Sequence, residues 1–133
     1  MAKKDYGRAL LEFRNATRVM PKDAEPQYQL GLAFLASGNA TNGARALYSA
    51  TQLNPKHAGA QLKLAELMTT SQNQDTLRDA VGRLESVLTA SPDNIEATDT
   101  LALAEWRLGK IDDASKRLEE ALQRFSTSLR SSI

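Results

Sequence analysis

A repeat of 34 residues is the feature that most restricts what this chain can fold into. Pro21 and Pro55 stand 34 residues apart, and each closes the same phrasing, RVMPKD in one case and QLNPKH in the other. Counting back from those prolines, a small residue, a large apolar one and a second small one recur at fixed offsets: Ala9, Phe13 and Ala16, then Gly43, Leu47 and Ala50. The phrase returns as Ala80, Leu84, Val87 and Pro92, and again as Ala114, Leu118 and Ala121, with Ser126 in the place of proline. A second phrase stands upstream of three of these runs: Leu30-Gly31 with Phe34, Leu64-Ala65 with Met68, and Leu101-Ala102 followed by Glu105. Offsets of three and four put each set on one helical face, so each unit holds two helices. Gly31, Ala65 and Ala102 hold matching places, where a small residue lets a partner helix approach closely. That packing offsets the roughly 1 kcal/mol that a mid-helix glycine costs relative to alanine. The position asks for smallness rather than for glycine.

These residues resemble the tetratricopeptide (TPR) repeat, whose pattern runs W-x2-L-G-x2-Y, then A-x3-F, then P over 34 residues. In the second unit Gln27, Leu30, Gly31, Phe34, Gly43, Leu47, Ala50 and Pro55 fall in the family's order, with Gln27 replacing the usual aromatic. The resemblance covers nearly the whole chain and implies an all-α fold, a TPR helical-repeat solenoid built as a right-handed superhelix of antiparallel helix pairs. The spacing predicts seven helices, over residues 5–20, 24–37, 40–53, 57–70, 75–90, 95–108 and 111–125. Asp23, and Asp93 or Asn94, suit N-caps, while Gly38 and Gly109 stand where a helix should stop. The organisation expected is a single TPR domain: residues 1–23 as the second helix of an incomplete repeat, repeats at 24–57, 58–94 and 95–128, and a tail at 129–133.

Three departures from the pattern carry information. The chain opens in mid-repeat, since KKDYGRALLEF already corresponds to a second helix, as in a piece of a longer array. Each repeat buries its apolar face on its neighbours, so Tyr6, Leu10 and Phe13 are expected to lack part of their cover. Weak self-association through this first helix follows. The interval from Leu64 to Leu101 is 37 residues rather than 34, and the excess falls in the polar stretch TTSQNQDT, to be absorbed as a longer loop or an added helical turn. Glu105 occupies a place where the family buries a large apolar side chain, and an unpaired buried carboxylate is costly. Either the helix is rotated so that Trp106 and Leu108 take over the packing, or Glu105 pairs with a nearby Arg or Lys.

Composition excludes much chemistry. Seventeen basic residues stand against sixteen acidic ones, and the formal net charge of +1 offers no general attraction to nucleic acid or an anionic membrane. With no cysteine and a single histidine, His57, the chain lacks the ligands for a transition-metal site and the partners for cysteine catalysis. No apolar run approaches the roughly 20 residues of a membrane span, and MAKKDYGRAL lacks the apolar core of a signal peptide. Localisation, cytoplasmic or exported, is left open. GNATNGAR has the glycines of a phosphate loop, but Ala44-Arg45 stands where Lys and Ser or Thr are required. Asp112-Asp113 and Glu119-Glu120 lie beside Lys116, Arg117 and Arg124, the pattern of a solvated helix face. Asn15-Ala16-Thr17 and Asn39-Ala40-Thr41 match the glycosylation triplet, the first of them within a helix. His57, at the start of a helix after Pro55-Lys56, suits a surface or capping role. No enzyme, cofactor or metal is expected.

What remains is a surface. In TPR arrays the first helices line a concave groove that holds an extended or helical peptide. The resemblance places Glu25, Tyr28, Leu32 and Leu35, then Leu62, Glu66 and Thr69, then Glu96, Asp99, Leu103, Trp106 and Arg107 in that groove. Tyr28 and Trp106 are the candidate anchors, of the aromatic kind that dominates binding hot spots, unless they pack within the array instead. Glu25, Glu66, Glu96 and Asp99 favour a basic flank on an apolar ligand. The subfamily that clamps the carboxylate of chaperone tails uses Lys, Asn and Arg where this chain has Tyr28 and Leu32. Lys63 and Arg107 alone do not rebuild that clamp. Two functions of different class follow: an interaction scaffold that binds a peptide or protein segment in the groove, or a structural spacer and self-assembly module of a longer array.

Overall fold

The computed structural model describes the backbone of residues 3–131 and the side chains of residues 7–124. It holds seven helices: α1 (Lys3–Val19), α2 (Ala24–Ala36), α3 (Ala40–Leu53), α4 (Ala58–Met68), α5 (Gln74–Ala90), α6 (Ile95–Arg107) and α7 (Ile111–Ser131). No strand occurs among the described residues. The predicted helices match these to within a few residues at most ends, and α7 runs six residues further than the expected end at 125. Two compact units divide the chain, Met1–Leu67 and Met68–Ile133.

Side-chain caps and glycine turns punctuate the helices. Asp23 accepts from the Glu25 N–H at 3.0 Å to start α2, and Asn39, Asn73 and Asn94 play the same part for α3, α5 and α6. Each such cap satisfies a donor that the first helical turn leaves unpaired. Pro26 lies in the first turn of α2, where its missing N–H removes no intrahelical bond. α2 and α6 close on Gly38 and Gly109, with φ of 86° and 85°, a conformation that side chains with a Cβ rarely adopt. Asn39 N–H donates back to the Phe34 carbonyl and Lys110 N–H to that of Glu105, both at 2.8 Å, the Schellman closure.

In the first unit α2 and α3 form a helical hairpin with a close approach at two glycines. A Cβ built on Gly31 would lie 2.8 Å from Leu47 Cγ and 3.2 Å from the Gly43 carbonyl oxygen. A Cβ on Gly43 would lie 2.7 Å from Leu35 Cδ2 and 3.3 Å from the Gly31 carbonyl oxygen. The two glycines face each other, and a Cβ added at either would require Leu47 or Leu35 to shift, so the smallness expected at this position is tightest at this crossing. Leu47, fully buried, fills the space over Gly31. Beside it Leu30, Phe34 and Ala46 form a cluster that α1 covers with Leu10 and Phe13. Arg14 lies over the Phe34 ring, 5.5 Å from its centroid. Leu10 and Phe13 are therefore half-buried, while Leu11 and Val19 are exposed on α1. The Tyr6 side chain lies outside the described residues.

The second unit packs α5 and α7 against α6, around Leu77, Ala80, Leu84, Val87, Leu101 and Ala114. The extra residues of TTSQNQDT become a longer loop, 69–73, and a longer helix: α5 has 17 residues where α3 has 14, and the added turn lies at its N-terminus. Glu105 is buried, and its carboxylate accepts from the Arg117 guanidinium of α7. Of the two alternatives the pairing is the one adopted, and Trp106 points to solvent.

Two stability measurements follow. Gly31→Ala should lower unfolding stability by about 1–2 kcal/mol in spite of its better helix propensity, because overpacking costs about 1–3 kcal/mol. Gly82→Ala, with nothing within 4 Å of its added Cβ, should raise stability by about 0.5–1 kcal/mol. Urea titration decides it, and a stabilised Gly31→Ala would show that the crossing has slack. Arg117→Met should cost about 2–4 kcal/mol by leaving Glu105 unpaired. The loss is tempered because the Arg117 side chain is 34% exposed. Adding Glu105→Leu should recover most of it, and a double variant as unstable as the single would refute the pairing as the cause.

Candidate partner-binding surface

The residues assigned to a groove divide by environment, and each unit has its own arrangement. In the first unit most of them are engaged internally. Tyr28 packs on the cluster of Ala24, Ala50 and Ala60, and its ring occupies the space beside Gly59, where a Cβ would lie 2.9 Å from Tyr28 Cζ. It also lies against the His57 ring, with centroids 4.6 Å apart and the planes tilted by 48°. Leu35 is half-buried with its Cδ2 against Gly43, so it belongs to the α2–α3 crossing. Leu62 is buried, Leu32 is half-buried, and Glu66 is half-buried with its carboxylate 3.4 Å from Lys63 Nζ.

Glu25 is exposed yet held at both oxygens. Gln29 Nε2 donates to Oε1 at 2.9 Å, and His57 Nε2 lies 2.8 Å from Oε2. His57 Nδ1 accepts the Ala60 N–H at 3.0 Å and so caps α4. With Nδ1 an acceptor, the ring proton of the neutral imidazole sits on Nε2 and is donated to Glu25. One side chain thus ties the start of α4 to α2. The hydrogen bond from His57, and then that from Gln29, hold the Glu25 carboxyl below its ordinary value of 4.5. The sequence marks His57 as a capping candidate, but its reach to Glu25 across 32 residues has no local signal.

Beside this link lies an open cleft of about 810 Å³, lined by Met20, Pro21, Lys22, Leu53 and Asn54 together with Glu25 and His57. It runs along the turns that precede α2 and α4.

In the second unit Thr69 is buried, but the α6 residues stand in solvent. Glu96, Asp99, Leu103, Trp106 and Arg107 are all exposed, with Leu103 at 46% and Trp106 at 58%. At 100° per residue they fall within an arc of about 100° on the helix. Arg107 is steadied by donating to the Ser71 carbonyl at 3.1 Å. The stripe is acidic at the start of α6, apolar over its last two turns and basic at its end.

A third exposed surface was not anticipated from the sequence. Leu118 of α7 holds the repeat position of Leu47 and Leu84; those two are 0% exposed, whereas Leu118 is 43% exposed and Leu122 beyond it is also exposed. The repeat frame itself carried that signal, because no described helix stands after α7 as α4 stands after α3. Among the described residues no group of three or more acidic, His or Cys side chains is placed to hold a metal, and no helix is long and apolar enough to cross a membrane.

A hairpin repeat of this period, with small residues at its crossings and helix-terminating glycines, defines a TPR helical-repeat protein, a fold typical of protein-interaction modules and generally without enzymatic activity. More narrowly, the profile of the cytochrome c-type biogenesis protein H TPR domain matches residues 1–130, and the chain belongs to that family. Among similar proteins, the peroxisomal targeting signal receptor of Komagataella phaffii is 32% identical over 120 residues, 90% of this chain and 20% of that protein. Tetratricopeptide repeat protein 21A of Mus musculus is 28% identical over 121 residues, 91% of this chain and 9% of that protein. The chain thus spans a fifth or less of these curated relatives. Among solved structures, a MamA protein matches with a TM-score of 0.80 at 23% identity, covering 96% of this chain and 68% of its own. MamA of Desulfovibrio magneticus RS-1 matches with a TM-score of 0.78 at 22% identity, over 89% of this chain and 65% of its own. These likenesses establish the fold.

The Glu25 link gives a pH dependence of defined sign. Because its folded-state pKa lies below the ordinary value, Glu25 contributes stability that is full above about pH 4.5 and is lost as the pH falls through the depressed value. The carboxylate is half exposed, so the contribution should stay below about 1 kcal/mol. Urea midpoints measured from pH 6 to pH 3 should fall less steeply for Glu25→Gln than for the wild type. Parallel curves would mean that the contact with His57 contributes nothing.

Proposed function

We propose that the protein is a non-catalytic interaction scaffold that binds a peptide or protein segment along its first-type helices. The concave groove of a TPR array is the surface concerned, and the array is read as one TPR domain. The exposed stripe on α6 carries the reading. Leu103 and Trp106 expose two large apolar side chains on one face, and a half-exposed tryptophan next to leucine loses surface to water only if a partner covers it. Tyr28, Leu35, Leu62 and Thr69 contribute to the fold of the surface rather than to contact with a ligand, and Glu25 is engaged by His57. Within the assigned residues, Glu96, Asp99, Leu103, Trp106 and Arg107 are those that a partner touches. The partner is a protein segment of mixed basic and apolar character. The family's name refers to c-type cytochrome biogenesis, and a partner from that process is one source to test.

A second reading rests on a different observation. Leu118 and Leu122 are exposed at positions whose repeat equivalents are covered, and Leu11 and Val19 are exposed on α1. These surfaces favour a spacer or assembly module whose contacts are made at its ends, including weak self-association through α1.

Binding separates the two. Partners captured from source-cell lysate should be lost, or weakened by about 2 kcal/mol or more, on Trp106→Ala with Leu103→Ser, while circular dichroism reports unchanged helix content. Leu118→Ser with Leu122→Ser should leave capture intact. The reverse pattern, or capture of the chain by itself alone, would make the end-contact reading the correct one. Tyr28 and Leu62 are unsuitable for this test because both pack inside the first unit.

A further inference from the structure

Resting on the scaffold reading, the α6 stripe also specifies the order and spacing of what it binds. The carboxylates of Glu96 and Asp99 make no ion pair among the described residues, and the Trp106 indole N–H has no acceptor among them. The Arg107 guanidinium is anchored by the Ser71 carbonyl and keeps other N–H groups for a ligand. At 1.5 Å of rise per residue, Leu103 lies about 6 Å along the axis from Asp99, Trp106 about 10 Å and Arg107 about 12 Å.

An extended chain advances about 3.3 Å per residue and points alternate side chains to the same side. Two residues of such a chain span about 6.6 Å and four span about 13 Å, which matches the intervals from Asp99 to Leu103 and from Asp99 to Arg107. We infer that α6 recognises an extended segment of a partner protein carrying Lys or Arg at position i, a large apolar residue at i+2 and Asp or Glu at i+4, in either chain direction.

The basic side chain pairs with Asp99 and Glu96, the apolar one seats between Leu103 and Trp106, and the acidic one meets Arg107. Both charged ends are complementary, which fixes register more than it adds affinity. The free indole N–H argues for an extended ligand over a helical one. An extended chain presents unpaired main-chain carbonyls to it, whereas those of a helix interior are already bonded. A helical ligand would also need about eight residues to span the 12 Å between the charges.

The test is selection of a displayed library of random nonapeptides on the full chain, followed by affinity measurement with synthetic peptides. Enriched sequences should carry the i, i+2, i+4 pattern. Moving the apolar residue to i+1 or i+3 should weaken binding by about tenfold, as should Trp106→Ala, a truncation of an aromatic anchor. Asp99→Lys should lose the basic-first peptides and recover binding when the peptide's Lys is replaced by Glu.

Trp106-dependent peptides without a fixed spacing, or with contacts at helical intervals, would overturn this inference and leave the scaffold reading standing. A library yielding no Trp106-dependent binder, or an α6 face found covered by a second copy in solution, would overturn both.

Discussion

The approach of Gly31 to Gly43 is the contact on which the first unit depends. Each glycine lies against the other's backbone carbonyl and against a leucine from the opposite helix, Leu47 over Gly31 and Leu35 over Gly43. Two missing Cβ atoms let the hairpin close until these leucines interlock, and a close-packed interior leaves no room to restore them. The propensity penalty of glycine in a helix is thus the local cost of a crossing whose gain is spread over Leu47, Leu30, Phe34 and Ala46. Once α2 is fixed in this way, its other sides follow: Phe34 and Leu30 meet α1, and Tyr28 turns toward the start of α4.

The second unit reaches a comparable packing with different chemistry at one place. Phe34 and Glu105 hold the same repeat position, and each has an arginine beside it, Arg14 over the aromatic ring and Arg117 on the carboxylate. A buried ion pair gains less than its Coulomb attraction suggests, because both groups lose their hydration. Its consequence lies in specificity of placement: the Glu105 pair is directional, and it fixes α7 on α6 at a point where apolar packing would tolerate sliding.

Most of the fold was legible in the sequence because it is a matter of period. Proline spacing, the small-large-small phrase and the terminating glycines placed seven helices, and even the surplus residues of TTSQNQDT were located before the structure divided them between loop and helix. The repeat frame asks for a small residue at the crossing but compares residue sizes and not interhelical distances, so the tightness at Gly31 shows only in the structure. The candidate site was less legible for a related reason. A position in a repeat says which side of a helix a residue occupies, not whether a neighbour reaches it. Leu62 and Thr69 share their repeat positions with the exposed residues of α6, yet both are buried. Glu25 carries a surface charge in the sequence and a hydrogen-bonding role in the fold, assigned by His57, 32 residues further on at the start of α4.

Tyr28 and Trp106 show what separates a packed aromatic from an exposed one. Residue type does not distinguish them, and both sit on first-type helices, Tyr28 three residues before the small repeat position of Gly31 and Trp106 four residues after that of Ala102. The difference lies in what surrounds each ring. Beside Tyr28 lie Gly59 of α4, which leaves a space of ring size, and His57 at the start of that helix, which supplies a second ring to lie against it. The phenol is consumed by the fold. Trp106 stands instead at the repeat position of Leu35 and Thr69, and its indole is 58% exposed, with no acceptor for its N–H among the described residues. Exposed apolar surface of this kind carries a risk of aggregation, and the carboxylates of Glu96 and Asp99 on the same stripe, without an ion pair among the described residues, limit that risk. On the proposed reading, the same charges that keep the face solvated in the free protein also select what covers it.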